Sequence, residues 1–323
     1  MCSCEKKTDT TIEKYFKSQR FSSSAGTSEF NTAITKYKKG SYNDAVRLLF
    51  LSAEQGNSNA FSAIFMFSNP KYDMPKKLTT TISDYYKSYS EKAEQGDAKA
   101  QFVAGIFNIN NLDLSFIKSN CDKGLDYLIK SADQNYPPSL FNLGVAYREG
   151  VCNSDKKNEI AGLFQKAADL NFDEAQFNLS GLYASGKYVA KDTKKEFEWL
   201  EKSAKNGYVP AQYELANFYM NGKDVIEKDM SKAAEWYSKA ADKGHIYAQC
   251  NLGMFYLKGW GVEKNLSKGL EYLKKAAEQG DTVAQRNLGY MYENGTDGVE
   301  INLEEAEKWY EMSEGQELEP TAF

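Results

Sequence analysis

The chain has 323 residues, 41% of them hydrophobic, and its 40 Lys and Arg are offset by 45 Asp and Glu for a net charge of −5. The two signs are interspersed, which argues against nucleic acid as the main partner, since that would require a basic stripe. No apolar run approaches the ~18 residues of a membrane-spanning helix, and 41% hydrophobic content is enough to bury a sizeable core.

Residues 1–26 are polar, with Ser22, Ser23, Ser24 and Gly26 near their end, and read as a flexible arm in which Ile12 to Phe16 could be transiently helical. From Thr27 to Gly56, two amphipathic runs flank Gly40, the pattern of a helix pair. The segment closing at Gly56 has relatives closing at Gly96, Asn135, Asn171, Gly207, Gly244 and Gly280, at intervals of 40, 39, 36, 36, 37 and 36 residues. Self-similarity at that period is the signature of a helical solenoid. The repeat runs to about residue 315, which leaves 27–315 as the solenoid and 316–323 as a tail.

The best copies share one grammar. After Gly244, a helix starts at His245 and carries Ala248, Leu252 and Tyr256 at i, i+4 and i+8, one helical face. Gly259-Trp260-Gly261 breaks it, because paired glycines supply the backbone freedom of a tight turn. A second helix begins near Leu266, carries Leu270, Leu273, Ala276 and Ala277, and stops at Gly280 as a left-handed cap. Ala211, Leu215, Tyr219 and Gly222 repeat the first half, as do Ala175, Leu179, Tyr183 and Gly186. Trp199, Trp236, Tyr272 and Trp309 share one slot in the second helix, and Pro138 and Pro210 fall in first turns, where proline is tolerated. Small residues such as Gly253, Ala276 and Ala277 let helix axes approach to ~8–10 Å. Residues 69–83 and 108–120 depart from the pattern.

These residues resemble the Sel1-like repeat family, relatives of the tetratricopeptide repeat. Ala248-Gln249-Cys250-Asn251-Leu252-Gly253 and Ala284-Gln285-Arg286-Asn287-Leu288-Gly289 carry its motif nearly intact. The resemblance is strongest from Asn135 to Gly315 and weaker from Gly56 to Asn135. It implies an all-α fold, a right-handed α-solenoid of about seven Sel1-like helix pairs after a tetratricopeptide-like first pair.

No catalytic or metal site is expected. His245 is the one histidine and stands where Asp97 and Asp281 stand in sister repeats, at a helix start. The cysteines at 2, 4, 121, 152 and 250 do not recur with the repeat, so a disulfide framework is not expected and reduced thiols are the simplest reading. With no apolar leader flanking Cys2, a cytoplasmic location is expected. Removal of a leader would instead make Cys2 a lipidated terminus and the chain periplasmic or membrane-anchored. Secreted relatives with a cysteine pair in each repeat have been credited with β-lactam binding or hydrolysis, and this chain lacks such pairs.

The expected function is therefore a non-catalytic scaffold or adaptor, without cofactor, that holds a peptide or protein in a concave groove; the alternative is a secreted or lipid-anchored protein acting on cell-wall or β-lactam-like ligands. In the related tetratricopeptide fold first helices line the groove. By that analogy, positions six, ten and thirteen after each anchor face it. They supply the candidate residues Phe141, Phe177, Tyr213, Asn217, Met220, Met254, Leu257, Arg286, Tyr290 and Glu293. The charged second helices, with Lys194 and Glu198 among them, read as a solvated outer face.

Overall fold

A computed structural model describes residues 26–68, 74–110, 120–224 and 226–314. The expected arm up to residue 25 with Cys2 and Cys4, and the expected tail 316–323, lie outside the described residues, as do parts of the two irregular segments.

Among the described residues sixteen α-helices follow one another in pairs. They are α1 (Thr27–Lys38) with α2 (Tyr42–Glu54), α3 (Ser58–Ser68) with α4 (Lys76–Glu94), α5 (Ala98–Ile109) with α6 (Cys121–Asp133), and α7 (Pro137–Glu149) with α8 (Ile160–Asp169). There follow α9 (Asp173–Ser185) with α10 (Thr193–Lys205), α11 (Val209–Asn221) with α12 (Met230–Asp242), α13 (Ile246–Lys258) with α14 (Leu266–Glu278), and α15 (Thr282–Asn294) with α16 (Leu303–Glu314). No strand occurs among the described residues beyond one isolated bridge, Lys223 to Ile226. The chain divides into two compact units, one up to Tyr208 and one from Val209. Within each, successive helices pack on one another, as a solenoid of helix pairs requires.

The helix boundaries follow from local chemistry. The carboxylates of Asp97, Asp192, Asp229 and Asp281 each accept a backbone N–H in the first turn, at 2.6–3.0 Å. Such a cap is worth about 1 kcal/mol. All seven anchors are left-handed, from Asn135 (φ 59°) to Gly207 (φ 97°). At Gly280 the Asp281 N–H reaches back to the Ala276 carbonyl, which satisfies an otherwise orphaned helix-end acceptor.

Inside two of the pairs the small residues do what the pattern implies. A methyl group on Gly253 would fall 2.8 Å from Leu273 Cγ and 3.0 Å from the Gly269 carbonyl oxygen. Gly269 in turn faces Leu257 and the Gly253 carbonyl, so α13 and α14 touch backbone to backbone. Gly105 and Gly124 repeat this contact between α5 and α6.

Between pairs two devices recur. A glutamine of the first helix (Gln101, Gln176, Gln249, Gln285) donates to the carbonyl of the residue eight positions back, near the end of the preceding helix. Gln134, Asn206 and Gln279, which follow the second helices, donate to Gln101, Gln176 and Gln249 respectively. The second device is a turn resting on a helix start. The turn after α13 lies so close to the start of α12 that a methyl group on Gly261 would fall 2.2 Å from the Met230 carbonyl carbon and oxygen. The turn after α15 meets Leu266, first residue of α14, at Gly298. The turn after α7 meets Cys121, first residue of α6, through a disulfide to Cys152.

That disulfide corrects the expectation of five reduced thiols. Two of the five cysteines pair although they lie 31 residues apart and do not recur with the repeat. They meet because the stack sets one pair's turn over the start of the second helix of the pair before it. Cys250 is free and buried, and burial pushes its thiol up to about 12, so it stays protonated.

Candidate interaction surface

The free face of the first helices is fixed by what covers the rest. In α13, Ala248, Gln249, Cys250, Leu252, Gly253, Phe255 and Leu257 are buried. Tyr247 and Lys258 are exposed, and Asn251 and Met254 are half-buried between them. The same stripe in α15 is Val283, Asn287, Tyr290 and Asn294, and in α11 it is Pro210, Glu214, Asn217 and Asn221. These are positions three, seven, ten and fourteen after each anchor, the spacing of one helical face.

The exposed stripe therefore passes through position ten and not through positions six and thirteen. At ~100° per residue, those two positions turn about 40–60° away from position ten, toward the next pair. Leu257 is fully buried and packs over Gly269, so it is a core residue and not a groove residue. Phe102, Cys250 and Leu257 all have exposures of 6% or less. Met220 is half-buried and, with Asn217, accepts the hydroxyl of Tyr237 from α12.

The aromatic residues at position six form a ladder along the first unit, with one further rung in the second. Phe102 meets Tyr136 at 5.7 Å between centroids, Phe141 meets Phe172 at 5.6 Å, and Phe177 meets Tyr208 at 5.3 Å. Tyr213 stacks on His245 at 4.5 Å. In every case the partner is the residue just before the next first helix. Offset ring contacts of this kind add about 0.5–1.5 kcal/mol beyond burial. Phe141, Phe177 and Tyr213 are thus half-buried rungs between repeats. Arg286 and Glu293 occupy the same flank of α15 and are exposed. Glu293 accepts from the Tyr310 hydroxyl at 3.0 Å.

His245 serves two structural ends. Its Nδ1 accepts from the Ala248 N–H at 3.2 Å, capping α13 where Asp281 caps α15. Burial holds its pKa down, at about 4, so the imidazole is neutral and able to accept. Among the described residues no group of three or more His, Cys, Asp or Glu is placed to hold a metal. A cleft lined by Ser231, Glu235, Ser238, Lys239, Tyr256 and Val262 is open, and its Glu235 and Lys239 pair with each other at 2.6 Å.

Three large exposed apolar side chains share the free stripe of the second unit, while Trp260, Ile301, Leu303 and Met312 of that unit are exposed off it. Tyr247 is 62% exposed, Val283 59% and Tyr290 56%. Met254 lies on the same stripe, half-buried.

The sequence profile of the Sel1 repeat matches six successive segments, 98–136, 137–172, 173–208, 209–245, 246–281 and 282–314. The chain belongs to the Sel1 repeat family. Its Sel1 repeats coincide with the helix pairs from α5/α6 to α15/α16, so α1/α2 and α3/α4 lie outside the matches. A Sel1 repeat protein from Oxalobacter formigenes is similar in structure, with a TM-score of 0.60, 25% identity, and coverage of 88% of this chain and 98% of that one. A protective antigen of uropathogenic Escherichia coli with the same type of repeat fold is 26% identical over 89% of this chain and 68% of its own, with a TM-score of 0.47. The cysteine-rich protein B of Helicobacter pylori is 30% identical over 42% of this chain and 96% of its own, with a TM-score of 0.32. No curated protein matches the chain in sequence. Sel1 repeats generally take part in protein–protein interaction. Among the described residues no helix is long and apolar enough to cross a membrane.

Proposed function

We propose that this Sel1 repeat protein is a non-catalytic scaffold that holds a peptide or protein surface along the first helices of its second unit. The observation that carries this reading is the exposure of Tyr247, Val283 and Tyr290, each above half, on one stripe of α13 and α15. Large apolar groups clustered on a free surface mark interaction sites, and aromatic anchors dominate many interfaces. Asn287 lies between Val283 and Tyr290 on this stripe, and its amide can both donate and accept, which suits a peptide backbone. Arg286 and Glu293 edge the stripe and add charge of both signs. The test is capture of binding proteins by cross-linking on wild-type protein and on a Tyr247→Ala, Tyr290→Ala variant. Loss of the same captured proteins from the variant supports the reading; unchanged capture contradicts it.

For location, the Cys121–Cys152 pair favours an oxidising compartment, since disulfides persist there and are rare in the cytosol. The cytoplasmic expectation rested on reduced thiols and on the lack of an apolar leader beside Cys2; the pair removes the first of these grounds, and the extracytoplasmic alternative is the one we carry forward. Thiol alkylation of the protein taken directly from cells decides it. Cys121 and Cys152 blocked until reductant is added support this location, and both free at once contradict it.

A further inference from the structure

Among the described residues three junctions set a turn on a helix start, and one of them is covalent. At Met230 and Gly261 the contact is packing, and at Leu266 and Gly298 packing is joined by an ion pair of Asp297 with Lys258 at 2.7 Å, in both cases without a covalent bond. At the junction of repeats 98–136 and 137–172 it is the Cys121–Cys152 bond. The turn there has a telling backbone. Cys152 and Asn153 both have φ of 55°, a left-handed conformation that disfavours side chains. The turn after α15 bends the same way at Asp297 and Gly298, with glycine at the second position. The turn after α7 thus lacks the glycine that eases the packed contact elsewhere, and holds a disulfide instead. Both sulfurs belong to half-buried residues at the edge of the repeat, within reach of a reductant.

We propose that Cys121–Cys152 is a redox-controlled clamp: reduction releases the turn after α7 from the start of α6 and loosens this one junction while the other repeats stay folded. The reductant is a dithiol. Its thiolate attacks one of the two sulfurs, the S–S bond breaks, and the other cysteine leaves as a thiolate that takes up a proton. The second thiol of the reductant then displaces the mixed disulfide. Two electrons and two protons pass to the chain, giving two cysteine thiols, and the dithiol becomes a cyclic or protein disulfide. Because sister junctions hold without a bond, the clamp sets a state of the junction and is not required for the fold. This inference stands apart from the proposed binding stripe, which lies in the other unit.

Hydrogen exchange of the full chain, with and without dithiothreitol, tests the clamp. Amides of residues 120–133 and 150–169 should exchange at least tenfold faster after reduction, with residues 246–314 unchanged. A second arm copies the Met230–Gly261 junction with the double substitution Cys121→Met, Cys152→Gly. It should be protected like the oxidised wild type whatever the redox state. If that variant does not fold, Cys121→Ser alone should exchange like the reduced wild type. The proposal is overturned if reduction changes no exchange rate, if it unfolds the whole chain, if Cys121→Ser keeps oxidised-like protection, or if both thiols are free in the unreduced protein.

Discussion

Substituting Gly261 by Ala probes the turn-on-helix contact directly. The residue has φ of +66°, and the added methyl carbon would lie 2.2 Å from the Met230 carbonyl carbon and oxygen and 2.5 Å from the Ser231 nitrogen. All three are backbone atoms in the first turn of α12, which Asp229 fixes by accepting from the Lys232 N–H at 2.9 Å. They cannot swing aside as a side-chain end could, so the turn must lift by more than 1 Å. Left-handed backbone with a side chain costs about 1–2 kcal/mol, and overpacking adds about 1–3 kcal/mol. The total is roughly 2–5 kcal/mol. Gly259→Ala is the matched control: φ is +70°, but the nearest atoms are Lys264 Cβ at 3.5 Å and Lys264 N at 3.7 Å, an ordinary contact. It should lose about 1–2 kcal/mol only. Urea denaturation followed by circular dichroism measures both. Equal losses in the two variants would refute the reasoning, since the junction contact is what separates them.

Three further outcomes are expected. Gly253→Val forces a side chain between α13 and α14 where Leu273 and the Gly269 carbonyl already touch. It should destabilise by about 1–3 kcal/mol or more, and an unchanged melting temperature would show that the close contact is absent. His245 should make stability pH-dependent. Its folded pKa, about 4, lies below the ordinary histidine value of about 6.5. Its contribution is therefore complete above pH ~6.5 and is lost as pH falls toward 4, by up to about 3 kcal/mol. His245→Asp, which installs the cap found at Asp281, should remove this loss over the same interval; identical pH slopes in both proteins would contradict it. Phe177→Ala breaks a half-buried rung against Tyr208. It should cost about 2–4 kcal/mol in chemical denaturation, and a loss below 1 kcal/mol would place Phe177 in solvent instead.

The repeat was legible because its punctuation is chemical. Every anchor from Gly56 to Gly280 is left-handed in the structure, and glycine or asparagine is what such a position accepts. Gly253 was legible for another reason, since a residue without a side chain on an inward helix face lets the axes approach. The groove register was not, because helical periodicity fixes spacing within a face but not which flank the next pair covers. Leu257 and Tyr290 read alike in sequence, yet one is fully buried and the other more than half exposed. The run of Tyr247, Asn251, Met254 and Lys258 at the less apolar spacing was the available signal. The disulfide was hidden because its cysteines are 31 residues apart and occur in one junction only. Aligning the turn after α7 with the turn that Gly261 sets on Met230 would have brought Cys152 and Cys121 together. The pair α3/α4 follows the helix-pair rhythm but falls outside the Sel1 matches.

The central claim is that the free stripe of the second unit carries the partner. Isothermal titration of a partner identified by cross-linking tests it, comparing wild type, Tyr247→Ala with Tyr290→Ala, and Glu271→Ala with Lys275→Ala on the outer helix α14, where those two residues pair at 2.6 Å. The stripe variant should bind about 30-fold more weakly, the equivalent of ~2 kcal/mol, with the outer pair within about twofold of wild type. Full affinity in the stripe variant together with loss in the outer pair would place the binding surface on the opposite side of the repeats.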